Sequence, residues 1–246
     1  MDAGLTDPLD AGSDAGRDAG AADSGVVASQ KCLERPGAVF CDSFEEPDPD
    51  FMLWSYETLT NGTVARSMTR ALTGQWSLRS ATTQGVGTQA RLATLELEKQ
   101  MSGDAWMRFY NWVPATVQIQ QHFSIGIISE EDPPWHGFEL RILPGNVVDL
   151  NTSSALMIVD GVTPKVTYTR DAWVCVEMHV FIDPVAGFYE AYLDSVLAVQ
   201  SPMTDTTTAS GYSAAEVGVH YAPTGQGPVE LFVDDVVVAR SRIGCD

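Results

Sequence analysis

Basic residues are scarce in this 246-residue chain: 14 Lys and Arg stand against 33 Asp and Glu, a formal net charge of -19. Phosphate backbones are held by Lys and Arg and by the counterions these displace, so the imbalance argues against nucleic acid as a partner and disfavours an anionic membrane surface. Long apolar runs are missing as well. No stretch approaches the roughly 18 to 20 residues that span a bilayer, and the opening MDAGLTDPLDAG has neither the basic nor the apolar region of an export signal. Among only four histidines no pair has zinc-like spacing beside a carboxylate. There is no Gly-rich phosphate loop between a strand and a helix and no Gly-x-Ser-x-Gly elbow. Convincing helical periodicity is almost absent.

Cysteine is sparse but even in number. Cys32, Cys41, Cys175 and Cys245 lie in no C-x-x-C spacing, which favours disulfides in an oxidising compartment over zinc. Three pairings are open; the expected one joins Cys32 to Cys41 across a short loop and Cys175 to Cys245 across a long one. Residues 1 to 30 hold six Asp, one Arg and no aromatic, with Asp-Ala-Gly repeated at 2–4, 10–12, 14–16 and 18–20. Nothing there offsets the entropy of ordering, so a flexible acidic linker is expected, with one folded domain over 31–246. The repeats resemble the spacer behind the lipidated cysteine of bacterial surface lipoproteins, which implies a secreted or cell-envelope protein.

What the chain does have is short runs rich in Val, Ile, Thr and aromatics, punctuated by Gly, Pro, Asn and Asp. This pattern predicts an all-β antiparallel jelly-roll sandwich. Strands are expected at 39–44, 75–81, 90–96, 105–113, 118–128, 137–143, 147–151, 155–159, 173–182, 187–193, 215–221 and 229–239. Side chains alternate across a strand. Met107, Phe109 and Val113 therefore point inward with Ile119, Phe123, Ile125, Ile127, Phe138, Leu140, Ile142, Val174, Val176, Met178 and Val180.

The opposite faces carry the chemistry. If these strands are neighbours in one sheet, its concave face gathers Trp106, Arg108, Tyr110, Trp112, Gln120, His122, Glu139, Arg141, Glu177, His179 and Tyr192. Sugar rings stack on Trp and Tyr, and their hydroxyls suit planar partners such as Arg, Glu and Gln, so a polysaccharide or oligosaccharide is the expected partner of a monomer. Two catalytic readings follow from the same set. A glycoside hydrolase needs two carboxyl groups ~5 to 5.5 Å or ~6.5 to 9.5 Å apart, and Glu139 with Glu177 is the available pair. A uronate lyase needs groups that neutralise a carboxylate and a Tyr or His that moves a proton, available in Arg108, Tyr110, Gln120, His122 and Arg141; His179 is a further catalytic candidate on the same face. Of the other histidines, His136 falls in a Pro-rich turn and His220 reads as a hydrogen-bonded strand residue.

The segments VFCDSFEE, ALTGQWSLRSA, WVCVEMHVFID with GFYEAYLDSVLAV, and VELFVDDVVVARSRIGC together resemble the concanavalin A-like superfamily of lectin, laminin-G (LamG) and glucanase jelly rolls, over residues 39–245. The glucanase acid signatures are absent. Of the alginate-lyase strands, GFELRI keeps Glu139, Leu140 and Arg141, with Gly137 where an Arg stands in that family, and Gln120-Gln121-His122 matches Gln-x-His. FYEAYLD lacks the expected Lys. The resemblance implies a carbohydrate-binding module, with a polysaccharide lyase ahead of a glycoside hydrolase as the enzyme alternative and an envelope protein-interaction or structural module as a third. It also implies a structural calcium near Glu45, the Gly74–Ser77 segment and Asp235, since calcium takes six to eight hard oxygens.

Overall fold

The structure, a computed structural model, describes residues 37–46, 51–94, 97–131, 136–152 and 166–245. The acidic segment 1–30, Cys32 and the strand expected at 155–159 lie outside the described residues. Within them the chain forms β1 (Ala38–Asp42), β2 (Tyr56–Thr60), β3 (Gly62–Ser67), β4 (Ser77–Thr82), β5 (Thr88–Thr94), β6 (Gly103–Trp112) and β7 (Phe123–Ser129). After these come β8 (Gly137–Leu143), β9 (Val147–Thr152), β10 (Trp173–Ile182), β11 (Phe188–Leu193), β12 (Val196–Gln200), β13 (Ala214–Ala222) and β14 (Val229–Ala239). Among the described residues no helix is long and apolar enough to cross a membrane.

Two antiparallel sheets result. One runs β12-β11-β10-β6-β14-β4-β3, with β1 also paired to β14; the other runs β2-β5-β13-β7-β8-β9. This is the expected all-β antiparallel jelly-roll sandwich. The alternating apolar sets meet between the sheets: Met107, Phe109, Val176 and Met178 from one, and Leu92, Phe123, Phe138, Leu140 and Val217 from the other are fully buried. Contact there is close enough that a Cβ on Gly126 would lie 3.0 Å from the Phe109 ring. Ile127, expected inward, instead faces outward between Glu216 and Glu139, because a bulge between Ser124 and Gly126 resets the alternation.

Strand β14 explains how the larger sheet closes. Its first half pairs with β4 and its second half with β1, and the switch falls at Asp234–Asp235, where Asp235 adopts φ 47°. Strand β4 ends its pairing there, and the 70–77 loop is fastened to the same spot. The buried Asp234 carboxylate accepts the Leu72 and Thr73 N–H groups at 2.8 and 3.4 Å. Burial pushes its pKa up to about 7, against those hydrogen bonds.

Beyond β14 the chain crosses the outer face of the larger sheet as a strap. Arg242 donates to Glu177 at 2.9 Å, the Gly244 N–H donates to the same carboxylate at 2.9 Å, and Cys245 is disulfide-bonded to Cys175. The long-range bridge expected from the sequence is therefore present. Cys41 is also disulfide-bonded.

Candidate functional site

The topology divides the residues that one concave face was expected to collect, and this is the main correction to the sequence reading. Strands β6, β10 and β11 belong to the larger sheet, whereas β7 and β8 belong to the smaller one. Trp106, Arg108, Tyr110, Trp112, Glu177, His179 and Tyr192 are thus separated by the whole core from His122, Glu139 and Arg141. The reason is physical: alternation tells which way a side chain points from its own strand, but not which sheet that strand joins.

On the larger sheet the expected residues form a covered network. Arg108 and Glu177 are cross-strand neighbours, 1% and 0% exposed, and Glu177 is held by the strap. His179 stacks on Trp106 with centroids 3.8 Å apart, and its two ring nitrogens lie 2.7 Å from Glu190 and Asp104. Tyr192 donates to Glu190 at 2.9 Å and lies under the Arg242 guanidinium; burial and the Glu190 carboxylate push its phenol up to about 12. A phenol so held is a poor proton shuttle at neutral pH. Arg108 sits 5.0 Å from the Tyr110 ring. Glu139 and Glu177, the expected hydrolase pair, stand on different sheets, so they cannot flank one glycosidic bond.

A polar cluster is instead assembled on the outer face of the smaller sheet. In β8 and β9, Arg141 faces Asp149 across the ladder and donates to it at 2.7 Å, while Glu139 faces Asn151 and accepts from its amide at 2.6 Å. From β7, Ser124 donates to Glu139 at 2.7 Å. From β13, His220 places Nδ1 2.7 Å from Glu216 and Nε2 3.7 Å from Glu139, bridging the two carboxylates. Arg91 of β5 lies against both Glu216 and His220. Burial opposes the charge on Glu216, but His220 and Arg91 outweigh it and hold the carboxyl below its ordinary range.

His122, just before β7, completes the cluster beside Tyr221, with ring centroids 6.2 Å apart. Tyr221 is 36% exposed. Burial, then the Arg141 charge, lowers the His122 pKa below 6.5 despite Glu139 and Asp149. The imidazole is therefore neutral at neutral pH and free to accept a proton. The sign for stability follows from the same shift: the native state takes up a proton less readily than the unfolded chain, so stability is lost as pH falls through and below 6.5. In an NMR titration the His122 midpoint is expected below 6.5 and is expected to rise in Arg141→Gln; an unchanged midpoint would remove Arg141 as a cause.

The local geometry of β13 depends on Gly218. It adopts φ 103°, and an added Cβ would lie 2.6 Å from the Ala90 carbonyl oxygen. The register of β13 against both neighbours shifts beyond this point, and that irregularity sets His220 and Tyr221. Gly218→Ala is expected to cost about 1 to 3 kcal/mol in a denaturant melt and to broaden the His220 ring signals; a variant as stable as the parent would show that the strain is absorbed.

Gln120 lies at the rim, outside β7, where its side-chain oxygen accepts the Gly227 N–H at 2.9 Å. Gln226 clamps the same two loops, accepting the Gln120 and Gln121 N–H groups at 3.1 Å each. His136 pairs with Glu130 at 2.8 Å, apart from the cluster. At the calcium position expected from the resemblance, Glu45 accepts N–H groups from Gln75 and Trp76 at 2.9 and 2.7 Å, and the acid turned toward the 70–77 loop is Asp234 rather than Asp235. Among the described residues no three His, Cys, Asp or Glu side chains gather as metal ligands.

Arg91, Ser124, Asp149, Asn151, Glu216 and Tyr221 were not singled out by sequence reasoning, and His220 was read as structural. Part of their signal was present: ARL, VDLN and AEVGVH place Arg91, Asp149, Asn151, Glu216 and His220 outward by the same alternation, whereas Tyr221 turns outward only through the irregularity in β13. Only the long-range pairing of β5, β13, β7, β8 and β9 brings them together.

No family model matches the chain, and no curated protein matches it. Solved structures do share its fold. The endo-β-1,4-glucuronan lyase from the fungus Trichoderma reesei superposes with a TM-score of 0.66 at 14% identity, covering 83% of this chain and 96% of that one. The cellulose induced protein Cip1 gives 0.63 at 18% identity, over 84% and 100%. The alginate lyase vAL-1 from Chlorella virus gives 0.56 at 7%, over 76% and 93%. These likenesses establish a shared jelly-roll architecture.

Proposed function

We propose that the outer face of the smaller sheet takes up a uronate-bearing polysaccharide and cleaves it by β-elimination. The observation that carries this reading is a half-buried imidazole, His122, beside an exposed phenol, Tyr221, and within the electrostatic reach of a guanidinium, Arg141. Elimination needs those three functions. Arg141 balances the uronate carboxylate and so acidifies the adjacent C–H. His122 takes that proton, the electron pair forms the ring double bond, the C–O bond to the leaving sugar breaks, and the Tyr221 hydroxyl returns a proton to the departing oxygen. The fold shared with a glucuronan lyase and an alginate lyase supports the substrate class by analogy only.

A second reading, binding without cleavage, is favoured by a different observation: Arg141 and Arg91 already pair with Asp149 and Glu216. A substrate carboxylate has to compete with these partners. Incubation with uronate and neutral polysaccharides, following unsaturated ends and reducing ends, separates the readings. Unsaturated ends support the lyase; retention on the polymer without any product supports the binding module; reducing ends alone would replace elimination by hydrolysis.

The disulfide supports a location outside the reducing cytoplasm. For calcium, the proposal extends only to a structural ion near Glu45, the Gly74–Ser77 segment and Asp235. A rise in melting temperature on adding calcium, lost in Glu45→Gln, supports it, and identical melts with calcium and with chelator would remove it.

A further inference from the structure

We infer that the outer face of the larger sheet carries a second, independent binding site for acidic sugar, a cleft walled by Trp112 and Trp173. It rests on the proposed function only for the choice of a uronate among carboxylate-bearing sugars.

The two tryptophans are cross-strand partners at the ends of β6 and β10, half-buried, with ring centroids 5.9 Å apart and planes at 72°. The 68–75 loop forms the other wall, contributing Met68, Arg70, Gly74 and Gln75, and the hollow between them, open to solvent, has a volume of about 540 Å³. Two aromatic planes at a steep angle offer a sugar ring a face to stack on and an edge to abut. At the wall, the Trp112 indole N–H is buried without a hydrogen-bond acceptor among the described residues.

Arg70 gives the cleft its preference for charge. In this acidic protein, Arg79, Arg91, Arg141, Arg240 and Arg242 each pair with a carboxylate. The Arg70 guanidinium has no such partner among the described residues; it lies 4.3 Å from the Trp112 ring centroid. Among the described residues the cleft's lining holds no Asp or Glu, and the Glu45 carboxylate packed against Gly74 is taken up by the Gln75 and Trp76 N–H groups. A planar guanidinium stacked on an indole keeps its N–H edge available for bidentate contact with a carboxylate, and the exposed Gln75 amide supplies donors and an acceptor for hydroxyls. The same loop is tied down through Asp234 and Glu45, so the wall is held in place before a ligand arrives.

Because the cleft and the His122–Arg141 cluster lie on opposite sheets, one chain can hold a polymer at two places. Calorimetry with short glucuronate oligosaccharides, and with the carboxyl-reduced glucose equivalents as control, tests this on the parent chain, Arg70→Gln, Trp173→Ala and Arg141→Ala. The parent is expected to bind at two sites. Arg70→Gln and Trp173→Ala are expected to weaken one of them about tenfold and to leave turnover of short substrates unchanged, while Arg141→Ala keeps that site and loses the other. Thermal melts check that Trp173→Ala is folded, and Arg70→Gln, a surface change, covers the case in which it is not. Equal binding of the uncharged sugar in the cleft, or binding unaffected by both cleft variants, would overturn the inference without touching the proposed function. Cleft binding that persists while no variant or parent yields product would overturn the lyase and leave the cleft standing.

Discussion

Arg141→Ala is expected to lower the yield of unsaturated product from a uronate polysaccharide by at least about a hundredfold. Without the guanidinium, the negative charge that develops on the uronate during proton abstraction has no cation in contact with it. The expected loss lies in kcat as well as KM, because the charge grows toward the transition state. The substitution also leaves Asp149 without its partner, 6% exposed in the present structure. Arg141→Gln, which can still donate to Asp149, controls for that structural effect. Activity equal to the parent in both variants would remove Arg141 from the reaction; loss in the alanine variant with full activity in the glutamine variant would reduce it to a positioning residue for the β8–β9 ladder.

Cys175→Ser is expected to give the largest change in stability. The bridge closes a 70-residue separation, and a loop of that length restrains the unfolded chain by about 4 kcal/mol. For a domain of this size that corresponds to a fall in melting temperature of about 10 °C. The structure adds a second consequence. Once the bridge is lost, the strap keeps only its Arg242 and Gly244 bonds to Glu177, so the buried Glu177 and Arg108 become accessible when it lifts. Hydrogen exchange of β10 is therefore expected to rise before that of β8. A melting point within 1 or 2 °C of the parent, on the same conversion, would show that the strap holds without its bridge.

Much of the fold was legible because burial leaves a simple trace in a strand. β8, β10 and β14 have the bounds that alternation predicts, since each sets fully buried side chains against a polar or covered face. The strands that were missed lack that trace. β2 and β3 are rich in Thr and largely exposed on alternate positions, and they pass from one sheet to the other at a single residue, Asn61, with φ 52°. β12 follows a two-residue turn, Asp194-Ser195, with both residues at positive φ, a conformation usually marked by Asn-Gly or Asp-Gly. The segment 118–122 was read as the start of β7, yet Gln226 holds it as a loop.

The candidate site was legible only in part, and for a related reason. Glu139 and Arg141 face outward from β8 as local alternation predicts, whereas His122, expected within a strand, lies in the loop just before β7. His220 and Glu216, some 80 residues further on, reach Glu139 only because β13 inserts beside β7. The residues that looked most like a sugar platform, Trp106, Tyr110 and Tyr192, lie on the other sheet with His179 and Glu177.

By itself, then, the sequence determined the all-β class, most of the inward set of the core and the acidic composition. Each depends on composition or on a period of two within one strand, which neighbours along the chain suffice to specify. Only the tertiary structure decided which outward faces share a sheet, which are covered by the strap, and which histidine meets which carboxylate. Those depend on pairings between strands far apart in sequence, chosen by the closing of two sheets around one core, and no local pattern encodes them.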